Sequence, residues 1–233
     1  MKNFIFSFVL LIIQGCAIGP NYTVYVDSIS SPDASNKKSY LILPSVDGVE
    51  ANDLQYKEYE NYVDRALAAR GFVKTTDFNK ADLAIFLGYG IGDPKTYQYS
   101  YSIPTWGQTG VSSSTTTGTI NSYGNSSTYT GTTTYTPSYG ITGSTNYTGT
   151  RTSYFRYMVI NAFDLDVYRK NKEMINIWKT TVTSSGSSGD LRQVFPVLVG
   201  ASKELIATNT GRRVGISIQG NDDRVLEVMG VKK

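Results

Sequence analysis

Asp164 and Asp166 are the residues of this sequence best placed to do chemistry. They stand two apart in a stretch of strand-like alternation, which would point both carboxylates to one face. Paired carboxylates can serve acid–base hydrolysis, on a glycan for example, or hold a cation. Arg169 and Lys170 follow closely and offer a plainer reading, the solvated face of a hairpin. Other short patterns fall away on context. Ser35-Asn36-Lys37-Lys38 fits S-x-x-K but has no helical pattern to bury it. Gly88, Gly90 and Gly92 follow a strand, yet Asp93-Pro94 comes where a phosphate loop would need another glycine and the start of a helix. Those glycines read instead as room for close packing. Gly186-Ser187-Ser188-Gly189 lacks the spacing of a nucleophile elbow. Histidine is absent, which removes the commonest general base and metal ligand. With Cys16 the sole cysteine, neither an intrachain disulfide nor a Cys/His zinc site can form. The expectation is no catalytic residue, no metal and no cofactor.

Cys16 matters for a different reason. A basic start, Met1-Lys2-Asn3, precedes an apolar run over residues 4–13 broken only by Ser7. The run is too short for a bilayer-spanning helix of about 20 residues and fits the middle of a secretion signal. It leads into Ile13-Gln14-Gly15-Cys16, which resembles the bacterial lipobox: aliphatic, any, small, cysteine. The resemblance implies cleavage between Gly15 and Cys16 and a diacylglyceryl thioether on Cys16. Several acyl chains on one residue anchor stably, because each buried CH₂ adds about 0.8 kcal/mol. Ala17 in place of Asp implies, by the same resemblance, an outer-membrane destination. The sequence therefore divides into a signal peptide (1–15), a lipidated cysteine with a tether (16–38) and a domain (39–233). Residues 22–26 could pair as an edge strand.

The 233 residues suit one domain with a large insertion. The 40% hydrophobic content supports a core, and a net charge of +3 without a basic stripe argues against nucleic acid. Tyr40-Leu41-Ile42-Leu43 before Pro44 reads as a buried strand. Asn52 with Gln55 opens a helix whose apolar stripe includes Leu54, Tyr59, Val63 and Leu67, and Gly71 closes it. Residues 82–89 make the next buried strand. A long strand follows from Phe155 through Val167, with a turn at 169–172 and an antiparallel partner over 174–183. A second helix begins at Asp190, regular from near Pro196 because proline is awkward inside a helix. The tail, 213–218 and 224–228, could add edge strands.

Between residues 96 and 150 there is no charged residue. Tyr97, Tyr99, Tyr101 and Ile103 alternate with Gln98, Ser100 and Ser102, the period of a strand. Tyr129-Thr130-Gly131 is echoed by Tyr147-Thr148-Gly149. Threonine and tyrosine favour strands, unlike most disordered linkers. The segment 96–153 thus reads as a long β-hairpin insertion with a mobile tip at 112–128. A neutral strand pair is prone to edge pairing, so Tyr97, Tyr99, Tyr101, Trp106, Tyr129, Tyr135 and Tyr147 form the candidate recognition surface. Asn21, Asn125 and Asn146 match N-glycosylation patterns, as chance predicts in so Ser/Thr-rich a chain.

The order of landmarks carries one further resemblance. Tyr-Leu-Ile-Leu-Pro at 40–44 precedes Ala-Ala-Arg-Gly-Phe at 68–72 and Lys-Ala-Asp-Leu-Ala-Ile at 80–85. The Tyr/Ser/Thr/Gly insertion, Trp178-Lys179, Asp190-Leu191-Arg192, Phe195-Pro196 and Thr208-Asn209-Thr210-Gly211 follow. Over about residues 39–228 this resembles the DUF4136 family of bacterial envelope lipoproteins, which has no assigned activity and so transfers no functional residue. Together the readings predict an α/β (α+β) fold: a single two-layer domain, a mixed or antiparallel sheet, two main helices and the hairpin. The expected function is a non-enzymatic, lipid-anchored module held to the membrane by acyl chains and contacting an envelope protein or glycan. The alternatives are a carboxylate hydrolase using Asp164 and Asp166, or a self-associating surface protein.

Overall fold

The computed structural model describes residues 19–231, so the readings at Gly15 and Cys16 and the signal segment lie outside the described residues. The elements are β1 (Asn21–Ser30), a 3-10 turn (Pro32–Asn36), β2 (Ser39–Pro44), α1 (Leu54–Ala69), β3 (Val73–Lys74) and β4 (Leu83–Ile91). After them come β5 (Lys95–Tyr123), β6 (Ser126–Asp164), α2 (Leu165–Asn171), β7 (Asn176–Gly186), α3 (Leu191–Ser202), a 3-10 turn (Lys203–Leu205), β8 (Val214–Gln219) and α4 (Asp223–Met229). They group into two compact units: Thr96–Thr152, and the chain on either side of it.

The larger unit carries a sheet in the order β3-β2-β4-β6-β7-β1-β8. β2 runs parallel to β3 and β4, and the pairs β4/β6, β6/β7, β7/β1 and β1/β8 are antiparallel. The sheet is mixed because α1 returns the chain in the direction of β2 before β3 and β4, which flank it, whereas the strands of the other pairs run in opposite directions. Leu83, Ile85 and Leu87 of β4 and Met158, Ile160 and Ala162 of β6 alternate into one core face. Onto that face pack Tyr59, Val63 and Leu67 of α1, Val194, Phe195 and Leu198 of α3, and Val225 and Val228 of α4. A smaller cluster, Ala81, Ala84 and Leu165, lies by α2. Ala84 has the opposite strand parity to Leu83 and Ile85, so α2 covers the other face. The α+β architecture with two long helices matches the expectation.

Several expectations are corrected. First, much of the supposed tether is β1, an interior strand between β7 and β8. Tyr22, Val24, Val26 and Ser28 alternate inward. Ser28 disguised the pattern, but its buried hydroxyl is satisfied by Thr180 Oγ1 at 2.8 Å. The folded domain thus already includes Asn21–Ser30, ahead of residue 39.

Second, the strand read through Val167 ends at Asp164, whose carboxylate accepts the backbone N–H of Asp166 (2.9 Å) and Val167 (3.2 Å) and so starts α2. The turn expected at 169–172 is mostly the body of this helix. Third, α3 begins at Leu191, ahead of Pro196. Asp190 caps it by accepting from Arg192 (2.9 Å) and Gln193 (3.3 Å), and the buried helix tolerates the proline. Likewise Asp53, not Asn52, caps α1, accepting from Tyr56 at 2.8 Å.

Fourth, residues 224–228 are helix, not strand. Asp222 accepts the Arg224 N–H at 3.0 Å to open α4. α4 meets α3 backbone to backbone: a Cβ on Gly200 would lie 3.0 Å from both Cα and N of Val225. Because no side-chain end can swing aside, Gly200→Val is expected to cost about 1–3 kcal/mol, the usual penalty of overpacking. Urea melts of the two proteins check this; unchanged midpoints would contradict the close approach.

Candidate functional site: an uncharged ribbon and a carboxylate cluster

In the Thr96–Thr152 unit, β5 pairs with β6. Strand runs to Tyr123 and resumes at Ser126, so the expected loose tip at 112–128 reduces to a two-residue turn in which Gly124 has φ +60°. Threonine and serine hydroxyls bridge the strands. Thr116 Oγ1 lies 2.8 Å from Thr133 Oγ1, Ser122 Oγ 2.8 Å from Ser127 Oγ, and Thr96 Oγ1 3.3 Å from Thr152 Oγ1. Cross-strand hydroxyl pairs of this kind each add roughly 0.2–1 kcal/mol.

Tyrosines do the rest. Tyr99 stacks near Tyr101 (6.2 Å between centroids), and Tyr101 on Tyr147 (5.6 Å). A Cβ on Gly149 would meet the Tyr99 ring at 2.7 Å, and one on Gly131 the Tyr129 ring at 2.7 Å. The repeated Tyr-Thr-Gly echo thus places glycines beneath tyrosine rings, which cover the gap a glycine leaves in a strand. Of the seven candidate surface residues, Tyr99, Tyr101 and Tyr147 come together, and Tyr97 shares their strand face. Trp106 falls on the alternate parity and is 70% exposed. Tyr129 and Tyr135 do not join the stack, and both stay exposed. Tyr139 and Ile141, absent from the sequence-based set, are exposed as well. Their alternation with Ser138 and Gly140 was the available signal.

The Asp164/Asp166 pair is not a strand-borne dyad. Asp164 caps α2, and Asp166 sits in its first turn. Lys37 Nζ donates to both, at 3.0 Å and 2.7 Å. Arg169 donates to Asp166 and also to the carbonyls of Phe78 (2.7 Å) and Ala81 (3.0 Å). Nearby, Asp82 accepts the N–H of Lys38 (3.0 Å) and Ser39 (2.9 Å). These contacts tie the segment before β2 to the start of α2. Lys37, read from sequence only as part of a discarded pattern, is the central cation.

The electrostatics follow. The Lys37 ammonium, then Arg169, hold the Asp166 carboxyl below the usual carboxylate range against partial burial. Burial alone would raise Asp82, but the donors on Ser39 and Lys38 lower it. A carboxyl lowered in the folded state stabilises above its ordinary pKa of about 3.9 and loses that contribution as pH falls through the lowered value. The melting temperature is therefore expected to hold down to about pH 5 and to fall below about pH 4. Asp166→Asn should flatten part of that fall, as circular dichroism melts from neutral to acid pH will report. An equally steep acid limb in the variant would assign the effect elsewhere.

Arg156 escaped the sequence reading. It is 1% exposed, with Nη1 on the Ser188 carbonyl (2.9 Å) and Nη2 on Ser184 Oγ (3.1 Å). Burial lowers its pKa. Its partners are a hydroxyl of β7 and a carbonyl of the β7–α3 connection, so it ties that loop to the strand before it. Gly90 leaves room for Tyr157, whose ring carbon would lie 2.7 Å from a Cβ there. This agrees with the close-packing reading for Gly90, while Gly88 and Gly92 meet their neighbours only at ordinary contact distances of 3.5 Å and more. A cleft lined by Tyr22, Tyr62, Arg192 and Val225 holds Glu58, which accepts from the Tyr62 hydroxyl (2.7 Å) and Arg192 (2.8 Å).

The family model described as "Domain of unknown function (DUF4136)" matches residues 24–201, from within β1 to the end of α3. No curated protein matches the sequence. Among solved structures, the chain is similar to a PDZ domain protein from Parabacteroides distasonis, at 12% identity and a TM-score of 0.37. That alignment covers 87% of this chain and 40% of the other, so the chain spans well under half of that protein. It is also similar to the PelC dodecamer from Paraburkholderia phytofirmans, at 12% identity and a TM-score of 0.32, covering 90% of this chain and 99% of that one.

Proposed function

The chain belongs to the DUF4136 family, and on that premise we propose that it is a lipid-anchored module of the bacterial cell envelope that acts by contact rather than catalysis. The anchor is Cys16, acylated after cleavage at Gly15, with the outer membrane as its destination. The contact element is the ribbon of β5 and β6. One observation carries this reading. Across Thr96–Thr152, tyrosine, tryptophan and isoleucine side chains stand about half or more exposed on a strand pair uncharged except for Arg151. A two-stranded ribbon is at best marginally stable alone in water, so such a surface is suited to being covered by an envelope protein or glycan. The carboxylates that a hydrolase would use are engaged by Lys37 and the α2 backbone, which supports the contact reading over that alternative.

Cell fractionation tests the anchor. The intact chain is expected in the membrane pellet, released by detergent and not by high salt, and Cys16→Ser is expected to move it out of that fraction. In-cell chemical cross-linking tests the contact. Cross-linked complexes should form with the intact chain and be lost when the ribbon is excised. Retention of every complex after excision would overturn the ribbon as the contact element.

A further inference from the structure

We propose that the ribbon's partner is a second copy of this chain, with β5 of one ribbon pairing antiparallel to β6 of the next. This deepens the preceding reading and rests on it. Among the described residues, β5 pairs only with β6, so within the ribbon unit each strand has one side without a strand neighbour. Edge strands are ordinarily defended by charge, especially lysine, or by being short. Here each strand runs for more than 25 residues within the unit, and between residues 96 and 150 Pro104 and Pro137 are the only such guards.

A second copy is the partner that answers these edges without further requirement. It brings a strand of equal length, equally neutral, so no like charges oppose one another. When two ribbons point the same way, β6 of one lies antiparallel to β5 of the other. The faces also continue. Tyr97, Tyr99 and Tyr101 share a face with Tyr147, while the hydroxyls of Thr96 and Thr152 meet on the opposite face. At the base of the ribbon, pairing β5 to β6 continues the Tyr97–Tyr101 side and the Thr96/Thr152 side from copy to copy. The contact is head-to-tail, so it repeats until the sheet closes on itself.

The test uses two differently tagged full-length copies made in the same cells, with a photoreactive benzoylphenylalanine at Tyr101 or Tyr135. Irradiation is expected to give a ladder at multiples of the chain mass in which bands carry both tags. A second variant, Ser102→Lys with Ser144→Lys, places positive charges along both strands and is expected to lose the ladder. Cross-links carrying one tag and the mass of a different protein would overturn self-pairing while leaving the ribbon as a contact element. Absence of cross-links at both positions would overturn both readings.

Discussion

Excising Thr96–Thr152 and closing the gap with a two-residue Asn-Gly turn is expected to leave the remaining unit folded and at least as stable. The reason is local. At the excision point β4 and β6 are already neighbours: Ile91 pairs with Arg156, and the Gly92 N–H donates to the Phe155 carbonyl at 2.8 Å. A tight hairpin turn spans such a pair. No residue of the main core cluster lies between Tyr89 and Met158. Replacing a connection of more than 50 residues by a short turn lowers the loop-closure cost, by about 0.6 kcal/mol per halving of length, or roughly 2 kcal/mol in all. Thermal melts of the excised chain should therefore match or exceed those of the whole, while the cross-linked complexes disappear. An unfolded excised chain would mean that the ribbon supports the fold.

The second large effect lies in the helix layer. Phe195 of α3 is fully buried, stacked on Tyr59 at 3.9 Å and 13°, with Tyr89 edge-on at 5.7 Å. Tyr59 and Tyr89 are themselves edge to face at 4.8 Å. Phe195→Ala removes a ring from between α1 and β4 and is expected to cost about 3–5 kcal/mol. Against a typical total of 5–15 kcal/mol this is severe, a drop of roughly 6–20 °C in melting temperature. Leu54→Ala is the matched control. Leu54 opens α1 but is 84% exposed, so its loss should stay within about 0.5 kcal/mol. Similar losses in the two variants would contradict the packing described.

These two residues also show what could be read before the fold was known. Phe195 lies among Leu191, Val194, Leu198 and Val199, apolar residues that recur at helical spacing. Leu54 lay on an apparently apolar stripe of α1 but faces outward in the first turn, where Tyr56 takes the buried side. β2, β4 and the ribbon were legible because each is a plain run or a plain alternation. β1 was legible only as a short edge strand at 22–26, because Asn21, Thr23, Asp27 and Ser28 look like a linker until Thr180 supplies the buried partner for Ser28. α2 and α4 were misjudged for a shared reason. Each is a seven-residue helix started by an aspartate cap, too short for a period to show. The Asp164–Lys37 contact joins residues 127 apart in the chain, and no local pattern encodes it. Arg156 is equally silent, since a lone arginine on a strand ordinarily marks solvent.

The ribbon is expected to be covered where the protein works. Amide hydrogen exchange measures that directly, on membranes from cells that make the protein and on the purified chain at high dilution. Peptides from β5 and β6 within Thr96–Thr152 are expected to exchange far more slowly on the membranes, while peptides from α1, α3 and β4 exchange alike in both. Equal exchange of the ribbon peptides in the two preparations would contradict it.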